Sequence, residues 1–267
     1  MASEGLPEHR NWWGLVVTGL AVGIASGLFG VGGGIIVVPA LVYVLGYGHK
    51  LASGTSLLAI VIPAAVGVVS YGVRGDVDYL LALLLAVGSI VGAPIGAWLL
   101  KRLNRRAVQW AFIAFIVIVI VSLFLVVPSR DATVHLDPIK GALVVVAGFI
   151  AGVAGGLLGI GGGVIVVPTL VLLFGASDLV AKGTSLLMII ATGFAGTVAN
   201  IRHRNVDARG ALVLGLAAGA VTPFSVWLST IMSPYAANVT FSVFLVLIIV
   251  RMLRDVLSKP DSSGSAK

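Results

Sequence analysis

Leu28 to Pro39 reads LFGVGGGIIVVP and Leu157 to Pro168 reads LLGIGGGVIVVP, so nine of twelve residues recur 129 positions later. The offset holds without a gap, pairing Gly54-Thr55-Ser56-Leu57-Leu58 with Gly183-Thr184-Ser185-Leu186-Leu187 and Asp78 with Asp207. Pro94 and Trp98 likewise recur as Pro223 and Trp227. The chain is one unit written twice. In a strongly apolar chain, such duplication is the mark of a transporter made of two structural repeats with its substrate site where they meet.

The apolar character is unambiguous: 59% of the 267 residues are hydrophobic and 10% are charged, with a mean hydropathy of +1.13. That leaves too little polar surface to coat a soluble globule. Runs such as 79–100 and 107–127 exceed the roughly 20 residues that cross a hydrocarbon core about 30 Å thick. They are continuously apolar rather than alternating, which predicts helices and not barrel strands. The fold class expected is therefore an all-α integral membrane protein. A net charge of +7 would point to nucleic acid in a soluble protein, but the bases sit in short loops between spans, so no nucleic-acid partner is expected. The chain has no cysteine, which removes disulfides and thiolate chemistry. Gly19, Gly23 and Gly27 of the first apolar stretch recur as Gly148, Gly152 and Gly156, which marks that stretch as mature structure and not a removable signal.

Hydrophobic segments are expected at about 12–30, 32–47, 52–72, 78–100 and 107–127, then at about 141–158, 162–175, 182–200, 210–231 and 236–252. Five segments per unit is odd, so the second unit enters the membrane from the opposite side and the pair forms two inverted-topology repeats. With both termini in the cytoplasm, thirteen of the seventeen Lys and Arg residues fall inside; Arg74, Arg130, Lys140 and Lys182 fall outside. This agrees with the enrichment of basic residues in cytoplasmic loops. The expected division is a cytoplasmic N-terminus at 1–11, a first membrane repeat at 12–127, an external linker at 128–140, a second repeat at 141–254 and a polar cytoplasmic tail at 255–267. The second segment of each repeat is short, and forms either a partial helix in a hairpin or a tilted span in thinned membrane. Trp12, Trp13, Trp98, Trp110, Trp227, Tyr71, Tyr79 and Tyr235 fall near span ends, where they read as headgroup anchors.

Three adjacent glycines cost about 1 kcal/mol each relative to alanine inside a helix. Gly32-Gly33-Gly34 and Gly161-Gly162-Gly163 therefore read as helix breaks. An unwound turn exposes backbone amides, and the next helix aims its positive end at the same spot, which makes an anion site without a charged side chain. Close helix packing is the competing reading, and it suffices for the spaced glycines. Neither triplet satisfies a nucleotide-binding pattern. The second paired motif is Ser53-Gly54-Thr55-Ser56 against Lys182-Gly183-Thr184-Ser185. Its hydroxyls and amides suit an oxyanion, and equally suit an ordinary helix N-cap.

All ten carboxylates, Asp178 and Asp207 included, are expected in loops or tails. A site without membrane carboxylates favours an anionic cargo over a cation. His9, His49, His135 and His203 are expected to be solvated loop residues, with no metal site. Thr197 and Asn200 are polar residues in an apolar segment, placed to line a cavity or to bond a neighbouring helix. No acid–base pair, nucleophile triad or metal cluster stands in the spans, so an enzyme is not expected.

The repeated GxGGG-xxxVP text, followed in both halves by GTSLL, resembles the TauE/SafE family of sulfite exporters from about Trp13 to Arg254. The resemblance implies a prokaryotic inner-membrane permease for sulfite, sulfoacetate or a related sulfonate, working in export and without a cofactor. Its partners would be that anion, the lipid bilayer and, in a coupled carrier, a driving ion. A passive anion channel is the first alternative; a non-transporting sensor or assembly subunit is another.

Overall fold

The computed structural model describes residues 10–103, 105–125 and 137–258. Residues 259–267 of the tail expected at 255–267, residues 1–9 and most of the expected linker lie outside them, and 255–258 belong to the last helix. Among the described residues the elements are all helical. They are α1 (Trp12–Phe29), α2 (Gly34–Tyr43), α3 (His49–Ala59), α4 (Val61–Gly72), α5 (Tyr79–Arg102), α6 (Arg105–Leu125), α7 (Pro138–Leu158), α8 (Gly163–Phe174), α9 (Asp178–Ile201), α10 (Ala208–Ile231) and α11 (Pro234–Ser258). Among the described residues, six helical stretches are long and apolar enough to cross a membrane: α1, α3–α4 taken as one, α5, α7, α9 and α10. α2 and α8 have 10 and 12 residues, about 15 and 18 Å at 1.5 Å per residue. Neither spans a bilayer.

The duplication pairs α1 with α7, α2 with α8, α3–α4 with α9, α5 with α10 and α6 with α11. Packing follows it: α1 lies on α10, and α7 lies on α5. Both interfaces are made by small residues. A Cβ on Gly19 would stand 2.5 Å from the carbonyl oxygen of Leu214, and one on Gly152 would stand 2.6 Å from Ser89 Cα. Helices approach this closely only where one backbone carries no side chain. α6 and α11 pack on each other. Large apolar side chains such as Leu83, Ile90, Ile139 and Phe224 remain exposed on the outer faces, the pattern of a surface solvated by lipid.

One expected segment is split. The stretch 52–72 is α3 and α4, separated at Ile60, whereas its counterpart α9 is continuous. The cause is Pro63, which has no N–H for the carbonyl of Ala59. The equivalent residue in α9 is Thr192, whose hydroxyl instead donates to the Met188 carbonyl at 3.1 Å. Tyr71 also differs from expectation. It is not a headgroup anchor but fully buried, with its hydroxyl 2.7 Å from the Gly27 carbonyl and 2.8 Å from Ser229 Oγ. The other seven aromatic anchors are exposed at helix ends or flanks.

Candidate functional site: two glycine turns and the helices they rest on

α1 ends at Phe29 because Gly30 takes a left-handed conformation (φ 67°) and closes the helix onto Ser26. Gly32 and Gly33 follow at φ 68° and 75°, and α2 starts at Gly34. Gly159, Gly161 and Gly162 repeat the pattern at 73°, 74° and 83° ahead of α8. Residues with a Cβ rarely adopt these angles, so the triplets are breaks, as expected. The turns sit against each other and against the middles of the long helices. A Cβ on Gly34 would be 2.6 Å from Ile160 Cα; one on Gly163 would be 3.0 Å from the Gly30 carbonyl oxygen. Gly161 abuts Ile60 and Ile189, and Gly32 abuts Ile189. Those isoleucines lie half-way along α3–α4 and α9.

Each turn rests on the polar motif of the other half. Gly30 packs on Lys182, and Gly159 packs on Ser53. Ser56 Oγ donates to the Gly159 carbonyl at 2.6 Å, and Ser185 Oγ donates to the Gly30 carbonyl. Of the fourteen candidate residues, Ser53 and Ser56 thus meet the turn at Gly159 and Lys182 and Ser185 the turn at Gly30, while Gly54 and Thr55 face the segment ahead of α10 and Gly183 and Thr184 the segment ahead of α5. All fourteen are buried.

The turns also carry an electrostatic signature. The backbone N–H groups of 31–35 and 160–164 belong to buried residues, yet among the described residues they donate to no acceptor. Buried amides without partners are rare and cost about 1–3 kcal/mol each. Ten of them around two facing turns, each followed by the positive end of a short helix, make a strongly electropositive centre from the main chain alone.

The threonines are not N-caps of their own helices, because α3 and α9 start earlier, behind Gly48 and Ser177. Each hydroxyl instead serves a distant helix. Thr55 Oγ1 accepts from the Asp207 N–H and Thr184 Oγ1 from the Asp78 N–H, both at 2.9 Å. Asp207 and Asp78 are the N-cap residues of α10 and α5.

Three expectations about charged groups are corrected. Lys182 is not at a membrane surface but buried in α9, 3.1 Å from Asp178. Asp178 itself is a buried residue in the first turn of α9 and not a loop residue. Asp207 keeps its expected place in the loop ahead of α10, but it is not solvated there: it is buried and paired with Arg10. The physical reason is pairing: each carboxylate enters the interior with a cation beside it. His49 is likewise no loop residue. It begins α3 and, with Tyr43, Ser53, Gln109, Leu157 and Leu158, lines a cavity of about 20 Å³, which is room for about one water. His49 occupies the position that Asp178 holds in the other half, and Ser53 the position of Lys182. The two motifs therefore share a backbone but differ in polar side chains. Of the other polar residues, Asn200 bonds within its own helix, to the Gly196 carbonyl at 2.9 Å. Thr197 is buried. Among the described residues no group of His, Asp and Glu could hold a metal ion.

The chain is similar to curated proteins that carry transporter names. It is 31% identical over 223 residues to the probable membrane transporter protein YunE of Bacillus subtilis, covering 75% of this chain and 82% of that protein. It is 30% identical over 148 residues to the probable membrane transporter protein YjnA of the same organism, covering 51% and 58%. No solved structure matches. The family model described as sulfite exporter TauE/SafE matches residues 2–123 and 144–266. With that coverage, six apolar spanning helices and relatives named as transporters, the chain is a multi-pass membrane transporter protein that belongs to the sulfite exporter TauE/SafE family.

Proposed function

We propose that this protein is a secondary transporter that exports a small sulfur-containing anion, sulfite or a compact sulfonate, across the prokaryotic inner membrane. The ten amides at the two glycine turns, without acceptors among the described residues, carry the reading. A tetrahedral or pyramidal oxyanion presents several acceptors to such donors and needs no countercharge from a side chain. A cation would be repelled. The Lys182 charge, balanced by Asp178, leaves the centre governed by the main chain. The two halves act as inverted repeats over 12–127 and 141–254, with both termini cytoplasmic, and rock about the turns so that the anion meets each side in turn.

Flux in liposomes holding the purified protein tests this. Labelled sulfite, sulfoacetate, thiosulfate, sulfate and chloride are compared while voltage and pH gradient are varied separately. Saturable, gradient-coupled flux of sulfite or a sulfonate above chloride is the expected result. Large unitary currents would instead make the protein a channel, and absence of flux for every sulfur anion would overturn the substrate class.

A further inference from the structure

We propose that Arg10, Tyr47 and Asp207 form a lock that holds one face of the transporter shut, on that face only. The proposal rests on the alternating-access reading above, though not on the identity of the anion.

The two faces are closed by the same device. The segment ahead of α10 lies on Gly54 and Thr55, and the segment ahead of α5 lies on Gly183 and Thr184. The fit is tight enough that any Cβ on Gly54 would collide with the Asn205 carbonyl, and any on Gly183 with the Asp76 carbonyl. From there the faces diverge. Asp78 spends its carboxylate on its own helix, accepting from the Leu80 and Leu81 N–H groups at 3.0 Å. Asp207 makes no such cap. Its Oδ1 lies 2.9 Å from Arg10 Nη2, and its Oδ2 accepts from the Tyr47 hydroxyl at 2.9 Å.

The other face lacks the parts for this. The residues equivalent to Arg10 and Tyr47 are Ile139 and Ala176. The Asp207 side chain is 2% exposed and that of Arg10 is 24% exposed, so the pair is largely withdrawn from water. Arg10 is further seated over the Trp12 ring, 5.6 Å from its centroid. Burial, followed by the adjoining Asp207 carboxylate, pushes the Tyr47 phenol above its ordinary range, so it stays protonated and remains a donor.

Opening this face means pulling Asp207 off Thr55 and Arg10 together, which separates a charge pair whose partners are poorly hydrated. Opening the other face breaks the neutral Thr184 contact and involves no counterpart of Arg10 or Tyr47 on Asp78. A duplicated transporter with matching halves would have end states of nearly equal energy. The lock removes that equality and favours the state sealed on the Arg10 side.

The chain has no native cysteine, so single thiols report access cleanly. Ala52 and Ala181 are equivalent positions, both fully buried, near the starts of α3 and α9. Ala52→Cys and Ala181→Cys are each combined with Asp207→Asn or Arg10→Gln in the full chain. Labelling by a membrane-impermeant maleimide is then timed in right-side-out and inside-out vesicles without substrate. Either lock variant should raise labelling of the Ala52→Cys thiol from the Arg10 face at least tenfold and leave the Ala181→Cys thiol unchanged or slower. Equal acceleration at both thiols would show a brace for the whole fold and overturn the lock, as would no change at the first. A negative result here leaves sulfite flux by the unaltered protein untouched, and failure of sulfite flux leaves the labelling result standing.

Discussion

Thr55 and Thr184 are legible in the sequence as a repeated pair, but their task is not. Both hydroxyls accept from a backbone N–H more than a hundred residues away, and no local pattern encodes such a partner. Repetition alone therefore left capping and ligand binding as equal readings, and the structure replaces the first with a cross-link between halves. Thr55→Val or Thr184→Val keeps the shape and strands a buried N–H, at a cost of about 1–3 kcal/mol. Each should lower the thermal unfolding midpoint of the purified protein, while Thr→Ser at the same positions should restore most of it. Unfolding at the unaltered temperature in both valine variants would show that the bond contributes nothing. Lys182 and Asp178 escape a sequence reading for a related reason: a charge near the end of an apolar segment looks solvated, whereas the helix begins four residues before Lys182.

At the scale of elements, the sequence was more informative. The breaks at the glycine triplets, the two short helices behind them and the small-residue stripes all follow from composition and spacing, because left-handed angles and backbone contact admit few residues besides glycine. The split at Ile60 had a visible signal in Pro63, which a reading centred on apolar length passes over. Gly34→Ala and Gly163→Ala test the turns. In both, the added methyl meets backbone of the facing turn, so the halves must move apart and anion flux should fall at least tenfold. Gly75 supplies the comparison: it has φ 78° but nothing within 4 Å of its would-be Cβ. Gly75→Ala should cost about 1–2 kcal/mol of local strain and leave transport near its starting rate. Flux near the starting rate in Gly34→Ala and Gly163→Ala would mean that the close approach of the turns is not what matters.

For the whole molecule, the repeat is legible in the sequence, and the helices pack across its halves in equivalent pairs: α1 on α10 and α7 on α5, with each turn seated on the other half. What the duplication does not reveal is where the halves stop matching, since His49, Ser53 and the Arg10 lock are departures from the repeat. The proposed topology places Arg102 and Arg204 on one side of the membrane and Arg74 on the other; Arg130, expected beside Arg74, lies outside the described residues. Cysteines replacing Arg102 and Arg204 should react with an impermeant reagent only from the cytoplasm, and one replacing Arg74 only from outside. Reaction of all three from a single side would exclude inverted repeats.

The donors at the glycine turns are peptide groups, and no codon specifies a peptide group. An alanine scan across 31–35 and 160–164 would alter shape at every step and delete none of the donors themselves; only replacing an amide by an ester would do that. Peptide groups also do not titrate. The turns keep one electrostatic character from acid to alkaline conditions, so a change in their affinity for a weak-acid anion with pH would follow the protonation of the cargo.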